Sequence, residues 1–193
     1  MTRIIAGSAG GRRLKTPTGD STRPTSDRVR EALFSAIDSA VGSIAGLRFL
    51  DLYAGSGAVG LEAMSRGVGV VTLVEHDRTT ASLIRANART LRFLRTEVIA
   101  TSVTRALSHA PRAPYDLVFL DPPYSLPTEE LHEALGALLV HDWLASDALL
   151  IVERPSRDDF TWPTGFAGDR SRKYGETTLW YGHATSEAAT SPT

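Results

Sequence analysis

From residue 47 to residue 154 the chain alternates without a break between short apolar runs and helical stretches. "LRFLDLY" reads as a strand, and "AVGLEAMSRG" as a helix stopped by glycine. "GVVTLVEHD" is a strand followed by the helix "RTTASLIRANARTL". "TEVIATS" is a strand followed by the short helix "VTRALSH". "YDLVFLD" is a strand followed by the helix "PTEELHEALGALLVHDW", and "DALLIVER" is a strand again. Strands separated by helices cannot pair as hairpins. Crossovers make them parallel, and the helices cover both faces of the sheet. An α/β, doubly wound architecture is therefore expected. The ending departs from it, because "RSRKYGETTLWYGH" reads as an antiparallel hairpin with Lys173, Tyr174, Gly175 and Glu176 near its turn. Such a closing hairpin is unusual among dinucleotide-binding folds.

Upstream of the alternation, "RIIAGSAGGRRLKT" (residues 3–16) reads as two short strands around a glycine-rich turn. The loop "PTGDSTRPTS" follows, dense in turn formers. The helix "DRVREALFSAIDSAV" then places Val29, Leu33, Phe34 and Ile37 on one face. Thr25 or Ser26 can cap it, and Asp27 suits its positive end. The expected organisation is an extension over residues 1–22, a main domain over 23–183 and a disordered tail over 184–193, where "ATSEAATSPT" is small and polar.

Charge is unevenly placed. Arg3, Arg12, Arg13, Lys15, Arg23, Arg28 and Arg30 oppose only Asp20 and Asp27 in the first 30 residues, a balance of 7 − 2 = +5. The whole chain carries −1, so the remainder carries −6. A basic segment on an acidic body suits either a polyanion contact or a solvated arm. There are no cysteines, which excludes disulfides, iron–sulfur clusters and cysteine-bound zinc. The five histidines are scattered, so no metal is expected. No run approaches the ~18 apolar residues of a membrane span. The N-terminus lacks the apolar core of a signal peptide, and a cytoplasmic location is expected.

"DLYAGSGAVG" places Gly55, Gly57 and Gly60 in G-x-G-x-x-G spacing between a strand and a helix. Gly55 would allow the tight turn, Gly57 a close ligand approach and Gly60 close helix–sheet packing. The spacing alone fits NAD, FAD or S-adenosylmethionine. Asp51 sharpens it, since a carboxylate there repels a pyrophosphate and attracts the cationic methionine end of S-adenosylmethionine. Glu75 ends the second strand, where an acid accepts hydrogen bonds from ribose hydroxyls. Asp77 competes for that role. His76 is expected on the adenine side, with Ser102 and Val103 at the third strand end. Tyr53 and Ser56 complete the candidate cofactor turn, and Asp121 is a further cofactor candidate.

Asp121-Pro122-Pro123-Tyr124 follows the fourth strand, beside the first-strand loop in sheets of this kind. Two prolines contribute no N–H and little flexibility, so a rigid lip with outward carbonyls is expected there. The set suits an exocyclic amino group on a planar base. The Asp121 carboxylate and the Pro122 carbonyl can each accept one N–H, and Tyr124 can stack on the ring for ~1–3 kcal/mol. Asp121, Pro122, Pro123 and Tyr124 are the candidate catalytic residues.

"DLYAGSG", "VEHD" and "DPPY" in this order resemble class I S-adenosylmethionine-dependent methyltransferases of amino groups. "RIIAGSAGGRRLKTP", "RPTSDRVREALFSAI" and "RKYGETTLWYGH" narrow the resemblance to the RsmD family of bacterial 16S rRNA guanine-N2 methyltransferases. The likeness spans about residues 3 to 183. It implies a Rossmann-like, seven-stranded, mostly parallel sheet with an antiparallel last strand and an N-terminal β-hairpin. It implies S-adenosylmethionine held by Asp51, Gly55, Gly57 and Glu75, and a flipped guanine at Asp121 to Tyr124. Arg23, Thr25, Asp27 and Arg28 match the family segment beside cofactor and RNA. Arg3, Arg12, Arg13 and Lys15 would meet RNA phosphates, with Lys173 and Tyr174 on an opposite rim. The partner would be 16S rRNA in the small ribosomal subunit or its assembly intermediate, met by a monomer with no membrane contact. The competing readings are methylation of adenine-N6 or of a protein glutamine, an NAD-dependent oxidoreductase, and a non-enzymatic RNA-binding factor.

Overall fold

A computed structural model describes residues 2–17 and 26–185. Arg23, Thr25, most of the loop before the first helix and the tail from residue 186 lie outside the described residues. A seven-stranded mixed sheet has the order β3-β2-β1-β4-β5-β7-β6, and the chain divides into two compact units, Met1–Ser102 and Val103–Thr193.

In the first unit, β1 (Arg48–Leu52), β2 (Val70–Glu75) and β3 (Thr96–Ala100) pair in parallel. The helices are α1 (Asp27–Val41), α2 (Ala58–Ser65) and α3 (Arg78–Thr90). Ser26 caps α1, its side chain accepting from the Val29 N–H. Val29, Leu33, Phe34 and Ile37 are buried as the helical spacing requires. Phe34 stacks on Phe49 at 6.2 Å, and the Arg66 guanidinium lies 4.8 Å from the Phe34 ring centre.

The expected N-terminal hairpin is reduced to antiparallel pairing without regular strands. A single bridge joins Arg3 and Arg13, and a 3-10 turn spans Gly7–Ala9. Ile4 and Leu14 are buried, and side chains of the helices capture the segment's backbone. The buried Glu62 carboxylate on α2 accepts from the Ile5 and Ala6 N–H groups at 2.7 and 3.0 Å. Ser65 Oγ donates to the Ala6 carbonyl and accepts from the Ala9 N–H. The Asn87 amide on α3 brackets Lys15, accepting from its N–H and donating to its carbonyl. The segment is thus fastened along its length to two helices rather than held out as a free arm.

Gly7 is the tightest point. A Cβ there would lie 1.9 Å from the Ser65 carbonyl oxygen, and φ is +80°. Gly7→Ala is expected to cost at least ~2 kcal/mol locally, from overpacking and left-handed strain together. Limited trypsin digestion at Arg12 and Arg13 should accelerate clearly in this variant. Unchanged cleavage would show that the segment is not held by α2.

In the second unit, β4 (Tyr115–Leu120) pairs in parallel with β5 (Leu144–Pro155). β7 (Thr177–Ala184) pairs antiparallel with both β5 and β6 (Phe166–Tyr174). The closing hairpin therefore starts four residues earlier than the sequence suggests. The helices are α4 (Val103–Ala106) and α5 (Thr128–Val140). Tyr115 stacks on Trp143, whose Nε1 donates to the His109 carbonyl. Phe160 packs edge-on against both Trp162 and Trp180. Gly182 is required by this packing, because a Cβ would meet the Ala167 carbonyl at 2.6 Å and the Trp162 ring at 2.7 Å. Among the described residues, no helix is long and apolar enough to cross a membrane.

Candidate active site

The first unit builds a turn lined by two carboxylates. β1 delivers Asp51 into the interior, where it is 1% exposed and its Oδ2 accepts from the Gly60 N–H at 2.8 Å. Burial pushes the Asp51 carboxyl up to about 7, against the lowering effect of the Gly60 N–H, and the charge of Glu75 raises it further. Glu75 is also buried. Its Oε2 accepts from the Gly55 N–H and its Oε1 from the Asp77 N–H, both at 2.8 Å. The loop after β1 is thereby tied to the end of β2.

The left-handed φ of Gly55 and the close packing of Gly60 agree with the sequence expectation, and Gly57 has a packing role besides. Gly57 has φ +75°, and a Cβ would meet Ile84 Cγ2 at 2.9 Å, so packing against α3 demands it. Gly55 has φ +53° and nothing within 4 Å of a Cβ, so it is the glycine with open space beside it. Gly60 behaves as expected, since a Cβ would meet Leu73 Cδ2 at 2.7 Å. Tyr53 also adopts a left-handed backbone, at φ 62°, which is costly for a large side chain. Ser56 lies in the same turn.

Asp77 is occupied elsewhere. Its side chain accepts from the Thr80 N–H and caps α3, and that bond holds its carboxyl below the usual range. Glu75 is therefore the better-placed strand-end acid. His76 is exposed, with Nδ1 3.1 Å from Glu75 Oε1. Ser102 is exposed after β3, and Val103 is buried as the first residue of α4.

These features fit a cationic ligand with a ribose. Two carboxylates that repel one another, beside a glycine with open space, disfavour a diphosphate and favour a positive group. At the start of α2, Arg30 Nη1 donates to the Ala58 carbonyl at 3.5 Å. Arg30 is fully buried and committed, its Nη2 donating to the Arg3 carbonyl and to Asp27 Oδ1 at 2.7 Å. Arg3 Nε donates to Asp27 Oδ2 at 3.1 Å. Burial works against ionising Asp27, yet the Arg30 and Arg3 donors hold its carboxyl below the usual range. Among the expected RNA contacts, Arg3 and Asp27 are thus engaged with each other, whereas Arg12, Arg13, Lys15 and Arg28 are exposed.

The second unit carries the Asp121-Pro122-Pro123-Tyr124 stretch at the end of β4. Asp121 is half-buried, Pro122 buried, and Pro123 and Tyr124 exposed. Of the two proline carbonyls expected to face outward, that of Pro123 instead accepts from the Leu126 N–H at 2.8 Å and closes a turn. Tyr124 Oη shares a 3.3 Å hydrogen bond with Thr177 Oγ1 at the start of β7. Arg154, buried on β5, donates from Nη2 to the Leu126 carbonyl and pairs with Asp158 at 2.7 Å. The loop after β4 is therefore gripped at Tyr124 and at Leu126. Neither Thr177 nor Arg154 is a candidate from sequence, and only the strand register exposes them. Tyr174 lies directly opposite Thr177, while Lys173 pairs with Thr178 on the other face of the hairpin.

A parallel sheet closed by an antiparallel hairpin, with a glycine turn after β1 and an acid ending β2, defines the chain as a Rossmann-like methyltransferase fold. Residues 2–183 match the family described as "Conserved hypothetical protein 95". The chain belongs to this family, the RsmD family of methyltransferases. It is 38% identical over 151 residues to the ribosomal RNA small subunit methyltransferase D of Escherichia coli K12, covering 78% of this chain and 73% of that one. It is 39% identical over 154 residues to the protein of that name from Haemophilus influenzae, covering 78% and 77%. Among solved structures it resembles the protein yhhF of Escherichia coli, with TM-score 0.83, 33% identity and coverage of 95% and 97%. A hypothetical protein of Thermus thermophilus gives TM-score 0.75 at 34% identity, covering 94% and 98%.

Proposed function

We propose that this chain methylates the exocyclic N2 of a guanine in 16S rRNA, using S-adenosylmethionine, within the small ribosomal subunit or its assembly intermediate. The observation that carries the reading is the identity of 38–39% to proteins named ribosomal RNA small subunit methyltransferase D. S-adenosylmethionine supplies, when bound, a methyl group on a positively charged sulfur.

The chain's own residues do the rest. Asp51 and Glu75 supply negative charge for the cationic ligand, and Glu75 accepts from the ribose. At the acceptor loop, Asp121 and the Pro122 carbonyl accept the two N–H groups of the base amine. That directs its lone pair away from the ring and favours a pyramidal nitrogen as the carbon–nitrogen bond forms. The methyl–sulfur bond would break as this bond forms, the sulfur leaving as a neutral thioether; the nitrogen, acidic only once alkylated, would give its extra proton to Asp121 or to water, so Asp121 need not be a strong base. Tyr124 stacks on the base, which must leave its helix to reach the loop. The protein acts as a monomer in the cytoplasm in this reading.

The test is transfer of tritiated methyl groups to small-subunit particles from a strain lacking this enzyme, followed by nucleoside mass spectrometry. N2-methylguanosine is the expected product. N6-methyladenosine would overturn the choice of base, and absence of transfer would overturn the substrate.

A further inference from the structure

The closing hairpin carries an ordered row of side chains that this reading leaves unused. Along β6 and β7, Arg170 lies opposite Tyr181, Arg172 opposite Leu179 and Tyr174 opposite Thr177. Opposed residues share a face, and so do alternate residues of one strand. Arg170, Arg172 and Tyr174 therefore form one row, backed by Tyr181, Leu179 and Thr177. The contacts agree with the register. The Arg170 guanidinium lies 4.8 Å from the Tyr181 ring centre, and Tyr174, Arg170 and Arg172 all act electrostatically on the Tyr181 hydroxyl. Thr177, at the end of the row, is the residue bonded to Tyr124. Arg170 and Arg172 are exposed, and β6 is the outermost strand of the sheet.

The chemistry of the row is that of a donor surface. Guanidinium groups only donate. Beneath them the Tyr181 hydroxyl is buried with no hydrogen-bond partner among the described residues. Burial first, then Tyr174, pushes its pKa up to about 12, so it stays an O–H donor. A donor row of this kind favours an anionic acceptor.

We propose that Arg170 and Arg172 form a phosphate track for the RNA strand flanking the target nucleotide, leading along β6 to Tyr174 and Tyr124. This rests on the RNA methyltransferase reading and adds a second contact surface to the basic N-terminal segment. Alternate strand residues repeat every ~6.5–7 Å, the scale of successive phosphates. Paired guanidinium donors suit phosphate oxygens, and aromatic rings at the end of the row suit a base. The repeat and the aromatic terminus together favour a nucleic acid strand over an acidic peptide.

The test compares wild type, Arg170→Glu/Arg172→Glu, Arg172→Glu alone and a control, Arg112→Glu, on small-subunit particles at several salt concentrations. Arg172→Glu guards against loss of the Arg170–Tyr181 stack, and thermal unfolding monitors the fold. The double variant should raise KM for particles about 10-fold or more and flatten the salt dependence of log KM by about two. S-adenosylmethionine affinity should be unchanged, the single variant should fall between, and the control should match wild type. Wild-type transfer with unchanged KM and salt slope in the arginine variants, or an equal effect in the control, would refute the track alone. No transfer by wild type would refute the RNA reading and the track with it.

Discussion

Asp121→Ala is expected to lower the single-turnover rate of methyl transfer by at least ~10²–10³-fold, the usual cost of removing a group that acts on the reacting atoms. S-adenosylmethionine affinity, measured by titration calorimetry, should stay within about twofold, because a loss confined to the transition state leaves ground-state binding alone. Asp121 is half-buried at the end of β4, followed by buried Pro122. The turn closed by Pro123 and Leu126 and the Tyr124–Thr177 bond hold the loop from the other side. Those two supports do not pass through the Asp121 side chain and should persist when it is truncated. Asp121→Asn keeps one acceptor oxygen and loses the charge, so it should retain more activity than the alanine variant. A fall in cofactor affinity that parallels the fall in rate would reassign Asp121 to cofactor binding. An unchanged rate would remove it from the reaction.

Asp51→Asn should separate folding stability from cofactor binding. The folded protein holds the Asp51 carboxyl at about 7, against 3.8 for a free aspartate, chiefly through burial. Between those two values the folded state binds more protons than the unfolded state. The stabilisation that this proton gives is full below pH 3.8 and is lost as pH rises through about 7. Asparagine can still accept from the Gly60 N–H and carries no charge to bury. Wild-type stability should therefore fall relative to Asp51→Asn as pH rises from about 4 to about 8. At about pH 8 the variant should be the more stable by about 1–3 kcal/mol. The same substitution should weaken binding of cationic S-adenosylmethionine about 10-fold or more, because an opposite charge is lost in a buried place. Urea unfolding across pH and calorimetric titration read the two effects. Parallel stability curves for the two proteins would show that Asp51 ionises normally. Unaltered cofactor affinity would show that its charge is not used.

The legible parts of the chain are those governed by local pattern. Alternation between period-two and helical spacing locates the strands and helices of the sheet domain, and the buried face of α1 can be read residue by residue. "DPPY" falls at the end of β4 because only a strand end tolerates two prolines there. What escapes is fixed by partners distant in sequence. Nothing near Glu62 announces that it receives the N–H groups of Ile5 and Ala6 across more than fifty residues. Arg30 counts as surface charge in the sequence, although burial and its bonds to Arg3 and Asp27 make it internal. Spacing does not tell that Gly57 meets the Ile84 side chain while Gly55 faces open space. The support of Tyr124 by Thr177 depends on the register of β7, which composition does not encode.

Helix α2 shows how little freedom such arrangements leave to sequence change. Seven of its eight residues are buried, all but Met64. One side of it packs on Leu73 and bonds Asp51 through Gly60, and the other fastens the N-terminal segment through Glu62 and Ser65. Ordinary surface helices absorb neutral substitutions on their solvent side, but α2 has only one position of that kind. A helix of barely two turns thus leaves Met64 as the one position where a substitution meets neither the sheet nor the N-terminal segment at full burial.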